Sequence, residues 1–195
     1  MFRLPLLVAL SLIIAFGGGI WSTLIALDAT EGFGAIKLGA WEAFPQAQTI
    51  DADPYAKAHR ANDGRLLFGG AEGLTFSASV DSSGAPLSGQ CSYRMTGQTP
   101  PARLWTLFAQ SSGGEAATAF GDLPTALNSH TVLRRADGSF EITIGAAAAP
   151  GNWLAVRAGQ SFRLVLNLLD TPTAGSTGLI DLTMPSLQRI GCGNA

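Results

Sequence analysis

The sequence predicts a mainly β protein, an antiparallel β-sandwich or jelly-roll-like domain preceded by one N-terminal transmembrane helix. A long uncharged segment lies near the N-terminus, and short stretches with a period of two fill much of the remainder. The 24 glycines and 10 prolines exceed the usual share of turn-forming residues. With 12 basic and 14 acidic residues among 195, the chain has neither the composition of a disordered protein nor the positive charge of a nucleic-acid-binding protein.

The N-terminal segment runs from Leu4 to Leu27, 24 consecutive residues without a charge. At about 1.5 Å per residue, a helix of this length crosses a hydrocarbon core of about 30 Å. Arg3 precedes the segment and Asp28 and Glu31 follow it, so residues 1–3 are expected in the cytoplasm and everything after the helix outside it. The alternative is a cleaved secretory signal, whose apolar core is usually shorter and ends at a better small-residue site.

A short linker and one helix are expected before the sheets. Residues 28–49 mix glycines with large aromatic residues, and we expect an extended segment without regular elements that leads into a domain at 50–195. Asp53-Pro54 then predicts a helix over Tyr55–Asn62, with Asp53 as N-cap and Gly64 as the stop. Capping also explains Asp51 and Asp53 without a calcium ion, because no EF-hand loop follows.

Alternation of apolar and polar residues predicts the strands, and Asp137-Gly138 between two of them is a hairpin turn signal. Turns recur at intervals typical of a sandwich or jelly roll. The predicted strands are Leu74–Val80, Cys91–Met95, Leu104–Phe108, Val132–Arg134, Phe140–Ile144, Trp153–Val156 and Phe162–Leu168.

The only two cysteines are Cys91 and Cys192. In a domain outside the cytoplasm a lone pair of cysteines predicts a disulfide, here one that ties the C-terminal tail back to the sheet. Two buried free thiols are the alternative. With His59 and His130 as the only histidines, no zinc pattern can be written, and neither a metal nor another cofactor is expected.

The sequence contains no nucleophile elbow, phosphate loop or dinucleotide-binding fingerprint. A carboxylate pair for glycoside hydrolysis would have to be assembled by the fold, whereas ordinary solvated roles explain the same residues in turns and on strands. The candidates for such a pair are Glu72, Asp81, Glu115, Asp122 and Glu141.

Arginine, asparagine and tryptophan residues on or beside the predicted strands are the candidate ligand-binding set. On a sandwich face or rim they could stack on a sugar or bind a carboxylate. The alternative is that the tryptophans belong to the core, as large aromatic residues usually do. The set consists of Arg103, Trp105, Arg134, Asn152 and Trp153.

Several short motifs occur in an order that resembles one bacterial family. They include Ala71-Glu72-Gly73-Leu74, Gly84-Ala85-Pro86-Leu87, Cys91-Ser92-Tyr93-Arg94, Pro100-Pro101-Ala102-Arg103-Leu104-Trp105, Leu127-Asn128-Ser129, Asp137-Gly138-Ser139 and Gly151-Asn152-Trp153-Leu154. From about Trp41 to Cys192 the chain resembles the domain of unknown function 1214, in its short type with one membrane helix. The resemblance implies a jelly-roll-like fold and no established activity.

The resemblance also implies a possible partner, because longer relatives carry a second uncharacterised half, of the 1254 type, ahead of this domain. The chain departs from the family pattern where Leu104 and His130 stand, since relatives often have tryptophan and arginine there. A ligand site that used those two positions in relatives is therefore in doubt in this chain.

We expect a single-pass protein of the inner membrane of a Gram-negative-like bacterium, with its domain in the periplasm. Its expected role is to bind an envelope partner protein or a carbohydrate-like ligand, with no nucleic acid involved. One alternative is an envelope enzyme that acts on sugars or small molecules through a carboxylate pair. The other is a structural subunit, for which the small residues Ser11, Ala15 and Gly19 would let a second membrane helix approach closely.

Overall fold

The computed structural model describes residues 3–29, 32–63, 68, 72–111, 123–172 and 182–193. Its first element is helix α1, Arg3–Ala29. The stretch Arg3–Leu27 is long and apolar enough to cross a membrane, and none of it is buried against the rest of the chain. The predicted N-terminal apolar helix is confirmed, and its length and composition suit a membrane anchor or a signal sequence.

Helix α2, Pro54–Asp63, begins where the Asp-Pro pair predicts it. Oδ1 of Asp53 accepts hydrogen bonds from the backbone N–H groups of Tyr55 and Ala56, at 2.9 and 3.1 Å. Oδ2 of Asp53 accepts the backbone N–H of Phe33 at 3.0 Å. The Nε2 atom of His59 lies 2.9 Å from the carbonyl oxygen of Leu27. Helix α2 is therefore fastened to the chain around the end of α1. The predicted stop, Gly64, lies outside the described residues.

Six strands form the larger sheet, in which every described pair of neighbours is antiparallel. The last strand of this sheet in chain order lies near its centre, so strands that are distant in sequence are neighbours. In spatial order the strands are β1 (Ile36–Leu38), β2 (Trp41–Ala43), β3 (Gly73–Ala78), β9 (Phe162–Leu169), β5 (Leu104–Ser111) and β6 (Ala126–Asn128).

Four strands form the second sheet, in the order β10 (Ser186–Cys192), β4 (Cys91–Gly97), β7 (Phe140–Gly145) and β8 (Asn152–Ala155). The pairs β10–β4 and β4–β7 are antiparallel, whereas β7 and β8 are parallel. The sheet is therefore mixed. The sequence predicts antiparallel strands only, so the parallel pair β7–β8 differs from that prediction.

The core lies between the inward faces of the two sheets. Phe76, Leu107 and Leu166 of the larger sheet and Tyr93 and Ile142 of the smaller sheet belong to one cluster of buried side chains. Because alternate residues of a strand point to opposite faces, each sheet contributes every second residue to this cluster. The mainly β, sandwich-like fold predicted from the sequence is confirmed.

The sequence predicts an extended segment without regular elements over residues 28–49, and the structure differs from this prediction. It contains β1 and β2 as well as a short 3-10 helix, Pro45–Gln48. Trp41 is buried in the core, and its indole N–H donates to the carbonyl oxygen of Pro185 at 2.8 Å. Three-residue strands are too short to show a period of two, and so the sequence pattern did not reveal them.

The sequence predicts a strand over Val132–Arg134, and this prediction is wrong. Only Arg134 makes a β-type bridge there, to Phe140. The side-chain amide of Asn152 accepts from the N–H of Leu133 at 2.8 Å and donates to its carbonyl oxygen at 2.9 Å. These contacts occupy the backbone groups that a neighbouring strand would need. The predicted turn at Asp137-Gly138 is present, with Gly138 at φ +80°.

The disulfide between Cys91 and Cys192 is present, and it joins facing residues of β4 and β10. No described cysteine is free. The predicted pairing is confirmed, and the tail returns to the sheet as its edge strand. A disulfide of this kind indicates an oxidising compartment.

Candidate functional site

One row of side chains crosses all four strands of the smaller sheet on the face opposite the core. Gln188 of β10 faces Arg94 of β4, Arg94 faces Thr143 of β7, and Thr143 faces Trp153 of β8. Facing residues point to the same side of a sheet. Gln188 and Arg94 are exposed, whereas Thr143 and Trp153 are partly exposed. We call these four residues the polar row.

Trp153 closes the polar row at the edge strand β8. Its indole N–H donates to the carbonyl oxygen of Gly145 at 3.0 Å, which fixes the ring relative to β7. Gly145 itself has no side chain, and a Cβ atom there would lie 3.0 Å from the hydroxyl oxygen of Ser92. No side chain therefore projects from Gly145 beside Trp153, and the large amphipathic ring of Trp153 remains partly accessible.

Charged residues lie on and beside the polar row. Glu141 of β7 is ion-paired with two arginines: Oε1 lies 3.1 Å from Nε of Arg94, and Oε2 lies 2.6 Å from Nη2 of Arg135. All three side chains are more than a third exposed. Two guanidinium groups around one carboxylate leave one positive charge in excess. The Arg94 contact uses Nε, and among the described residues its terminal amino groups have no hydrogen-bond partner.

The structure brings Arg134 and Trp105 together, but Trp105 lies in the core and Arg134 lies over its ring. Trp105 is buried, with its ring 5.3 Å from that of Phe140, and its indole N–H has no partner among the described residues. The guanidinium carbon of Arg134 lies 5.9 Å from the centre of the Trp105 ring, a cation-π contact. Nη1 of Arg134 donates to the carbonyl oxygen of Gly138 at 3.2 Å.

The remaining sequence candidates lie in two places. The Asn152 amide holds Leu133 and also donates to the backbone carbonyl of Glu141 at 2.8 Å, so it positions the edge of the polar row. Arg103 precedes β5 in the other sheet and is ion-paired with Asp170 at 3.0 Å, with both side chains exposed. Of the five predicted residues, the structure therefore places Trp153 on the polar row and Asn152 beside it.

Sequence reasoning missed Arg94, Thr143, Gln188 and Arg135. The alternation over Cys91–Met95 already assigned Arg94 to the solvent face of its strand. No local signal could have placed it two strands from Trp153, because that distance depends on the pairing of β4, β7 and β8.

The candidate carboxylates do not form a pair among the described residues. Glu72 and Asp81 lie beyond opposite ends of the six-residue strand β3, which alone spans about 20 Å. Paired glycosidase carboxylates stand within about 10 Å of each other. Glu141 lies on the outer face of the other sheet, bound by Arg94 and Arg135. Glu115 and Asp122 lie outside the described residues.

Asp81 is further held in a structural role. Its Oδ1 accepts hydrogen bonds from the hydroxyl and backbone N–H of Ser83 and from the N–H of Ala85. The Ser83 hydroxyl, more than any other group, keeps the pKa of Asp81 below its usual value, while burial opposes this. A carboxyl group with a lowered pKa stays ionised and is a poor general acid. In the part of the chain that the structure describes, no group of three histidine, cysteine or acidic residues could hold a metal ion.

Two solved structures are similar to this chain. The crystal structure of a Vibrio parahaemolyticus protein matches with a TM-score of 0.57 at 19% identity, over 72% of this chain and 36% of that one. An uncharacterised Burkholderia cenocepacia protein matches with a TM-score of 0.41 at 17% identity, over 90% of this chain and 50% of that one. The chain thus spans about a third and half of the two proteins' lengths, and at these identities the Vibrio match shows the fold alone.

No curated protein matches the sequence. The family model described as "Protein of unknown function (DUF1214)" matches residues 72–173. This match covers more than half of the chain, from the turn before β3 to four residues beyond the end of β9, and so includes Arg94, Thr143 and Trp153 of the polar row. The chain therefore belongs to the DUF1214 family of proteins of unknown function.

Proposed function

We propose that the protein is a membrane-anchored, non-catalytic module that binds an acidic glycan of the cell envelope on the polar row. The observation that carries this proposal is the continuous row of Gln188, Arg94, Thr143 and Trp153 across four strands. It combines one partly exposed aromatic ring with hydrogen-bonding groups on the outer face of the sheet, where the four side chains are exposed or partly exposed.

The chemistry of the row suits a sugar chain that carries carboxylates. A tryptophan ring offers an apolar face to the C–H face of a sugar and loses little conformational entropy on binding. A guanidinium group binds a carboxylate through two parallel hydrogen bonds, and the excess positive charge beside Glu141 favours such an anion. Thr143 and Gln188 add hydroxyl and amide groups that can donate to and accept from sugar hydroxyls.

The proposal includes anchoring by α1 in the inner membrane, with the domain on the periplasmic side. The apolar helix α1, with Arg3 before it and acidic residues after it, supports a single span with the domain outside the cytoplasm. The Cys91–Cys192 disulfide supports an oxidising compartment. A tether keeps the module at a high local concentration beside the envelope polymer, so weak individual contacts suffice.

The test is a binding assay with the full-length protein in a mild non-ionic detergent. Polygalacturonate serves as the acidic glycan and dextran as the neutral one. We expect retention on polygalacturonate, with affinity lowered about tenfold by Trp153→Ala and by Arg94→Gln, since each removes one principal contact. Arg103→Gln is the matched control, because it removes an exposed arginine from the other sheet.

Two results would contradict the proposal. Equal losses in the Arg103 and Arg94 variants would mean that binding reflects overall charge, and retention of neither glycan would remove the ligand class. Release of new reducing ends during incubation would instead support the enzyme alternative, which requires that Glu141→Gln abolish the release.

A second candidate function is an accessory subunit for a protein partner with the 1254-type domain. The matched fold is only 36% of the Vibrio chain, so in that protein most of the polypeptide lies outside this fold. A separate chain could supply such a part here. Purification of the tagged protein from its own membranes tests this, because a stoichiometric partner supports a subunit and recovery alone contradicts it.

A further inference from the structure

The C-terminal end of helix α1 contacts helix α2 through a polar interaction. The Nε2 atom of His59 lies 2.9 Å from the carbonyl oxygen of Leu27. As a helix, the uncharged stretch Leu4–Leu27 is about 36 Å long, about 6 Å more than a hydrocarbon core of about 30 Å. A span centred in a bilayer therefore places the Leu27 carbonyl about 3 Å outside the hydrocarbon core, in the headgroup layer, and His59 with it.

The face of α2 that meets α1 also carries an aromatic pair. Tyr55 and His59 are four residues apart, so their side chains lie on the same face of the helix, about 6 Å apart along its axis. The ring of Tyr55 packs edge-on against the ring of Phe33, with 5.7 Å between the ring centres. The aromatic pair therefore lies about one helical turn from the contact with Leu27.

Phe33 is fixed by its backbone and not by its side chain. Its N–H donates to Oδ2 of Asp53 at 3.0 Å. The preceding residue, Gly32, passes so close to α2 that a Cβ atom there would lie 2.9 Å from the same carboxylate oxygen and 3.2 Å from Cβ of Ala56. Phe33 is nevertheless 64% exposed. Its position is therefore determined, while most of its apolar surface is uncovered.

A second exposed apolar residue lies close to Phe33. Ile50 is 89% exposed, the highest value among the large apolar residues of the described ranges. It belongs to a turn over residues 49–52, which a backbone hydrogen bond of 3.3 Å closes. Three residues of chain, at most about 10 Å, separate it from Asp53. We call Phe33, Ile50 and Tyr55 the juxtamembrane patch.

The charges around this patch do not favour an anionic partner. Residues 28–63 contain six acidic residues but only three lysines and arginines, Lys37, Lys57 and Arg60. Attraction to anionic headgroups is therefore not what the surface offers. Aromatic and aliphatic side chains next to a membrane span are favourable in the headgroup layer, where part of their surface leaves water.

We propose that the juxtamembrane patch docks on the lipid bilayer, with Phe33 and Ile50 inserted in the headgroup layer beside the end of α1. The bilayer is the occupant because α1 is uncovered along its apolar length, and the patch continues that apolar surface past Leu27. A second attachment beside the span fixes the height and tilt of the domain above the membrane. This inference rests on the proposed anchoring by α1, so its test measures the span and the patch separately.

The test uses single introduced cysteines, because the two native cysteines form a disulfide and do not compete for a thiol reagent. Ile14→Cys reports the middle of α1, and Ile50→Cys reports the patch. Leu133→Cys is the matched control, since Leu133 is 69% exposed and is held to the edge strand β8 by Asn152. Each full-length variant is placed in bilayer nanodiscs of phosphatidylcholine, with or without phosphatidylglycerol, and its alkylation rate with a charged maleimide is measured.

We expect the thiol at position 50 to react about tenfold faster when Phe33→Ser is added, because the loss of one docked aromatic side chain shifts the docking equilibrium by about this factor. Phe33→Leu should keep most of the protection. The rate at position 133 should not respond to either change at Phe33, which also shows that the fold is intact. The thiol at position 14 should be unreactive throughout, and phosphatidylglycerol should have no effect at position 50.

The outcomes separate the docking from the anchor. An unreactive thiol at position 14, with no effect of Phe33→Ser at position 50, would overturn the docking and leave the anchor standing. A reactive thiol at position 14 would refute the anchor and the docking together. Protection at position 50 that requires phosphatidylglycerol would assign the contact to anionic headgroups and overturn apolar insertion. Equal acceleration at positions 50 and 133 would assign the effect of Phe33→Ser to the fold, and it too would overturn the docking.

Discussion

Replacing Asp81 by asparagine tests whether the buried carboxylate holds the C-terminal strand to the sandwich. Oδ2 of Asp81 lies 3.1 Å from Nη2 of Arg189 on β10, a contact that is an ion pair without good hydrogen-bond alignment. Asp81 is 2% exposed and Arg189 is 35% exposed. Asparagine keeps the acceptor for the turn at Ser83 but places a neutral amide against the guanidinium group.

The size of the effect follows from this burial. Exposed ion pairs contribute about 0–1 kcal/mol, and breaking a fully buried pair costs about 3–5 kcal/mol. One charge here is buried and the other is about two-thirds covered, so we expect a coupling energy of about 2 kcal/mol between the two side chains. Arg189 also donates to the carbonyl oxygen of Pro86 at 3.2 Å and lies over the Tyr93 ring, so removing it alone costs more than the coupling.

The assay is urea denaturation of the full-length protein in detergent, followed by tryptophan fluorescence. Four proteins are compared: the wild type, Asp81→Asn, Arg189→Met and the double variant. Additive losses, with a coupling below about 0.5 kcal/mol, would refute the assignment of Asp81 to this role.

The same variant carries a pH signature. Hydrogen bonds, first from the Ser83 hydroxyl, and the nearby Arg189 hold the pKa of Asp81 below its usual value in the folded protein. A lowered folded pKa contributes stability that is complete above the unfolded value of about 3.9 and is lost as pH falls through the folded value. The difference between wild type and Asp81→Asn should therefore be constant from neutral pH down to about pH 5 and shrink below about pH 4. A difference that grows on acidification would contradict the reasoning.

Three further predictions concern single features of the fold. Reduction of the Cys91–Cys192 disulfide, which spans 101 positions, should lower the free energy of unfolding by up to about 4.7 kcal/mol. The measurement is denaturation with and without reductant. No loss of stability would show that the closed loop does not constrain the unfolded chain. Gly89→Ala should cost several kcal/mol or prevent folding, because the new Cβ would collide with the carbonyl oxygen of Arg157, whereas Gly191→Ala, with open space around it, should be nearly neutral in the same assay. Asp53→Ala should speed hydrogen exchange at the amides of Tyr55, Ala56 and Phe33, which the carboxylate accepts in the folded protein; unchanged exchange would mean that the cap does not hold α2.

Local signals predicted those parts of the fold that depend on neighbours in sequence. Asp53-Pro54 fixed the start of α2, since a cap and a proline at the first helical position act within one turn. The alternation over Leu74–Val80 predicted β3 because a half-buried strand needs one apolar face. The strand β10 escaped prediction because it is an edge strand with only Leu187 buried among its residues, so it has no apolar alternation.

The candidate site was predictable only in part, because it too depends on strands that are distant in sequence. Trp153 was identified from its residue type and its strand. Trp105 has the same residue type, yet the structure buries it against Phe140 under Arg134. Which tryptophan faces the core depends on the sheet that packs over it, and nothing within a few residues of either position records that.

By itself the sequence determined the apolar helix, the turn-rich β class, the capped helix α2 and the single cysteine pair, because each follows from local composition, from spacing or from a choice of only two residues. The tertiary structure decided the strand order, the parallel β7–β8 pair and the position of Asp81 beneath Arg189. It also brought Arg94 and Trp153, 59 positions apart in the chain, onto one surface. Pairing between distant strands is selected by the fit of both sheets around one core, so its outcome belongs to the whole chain.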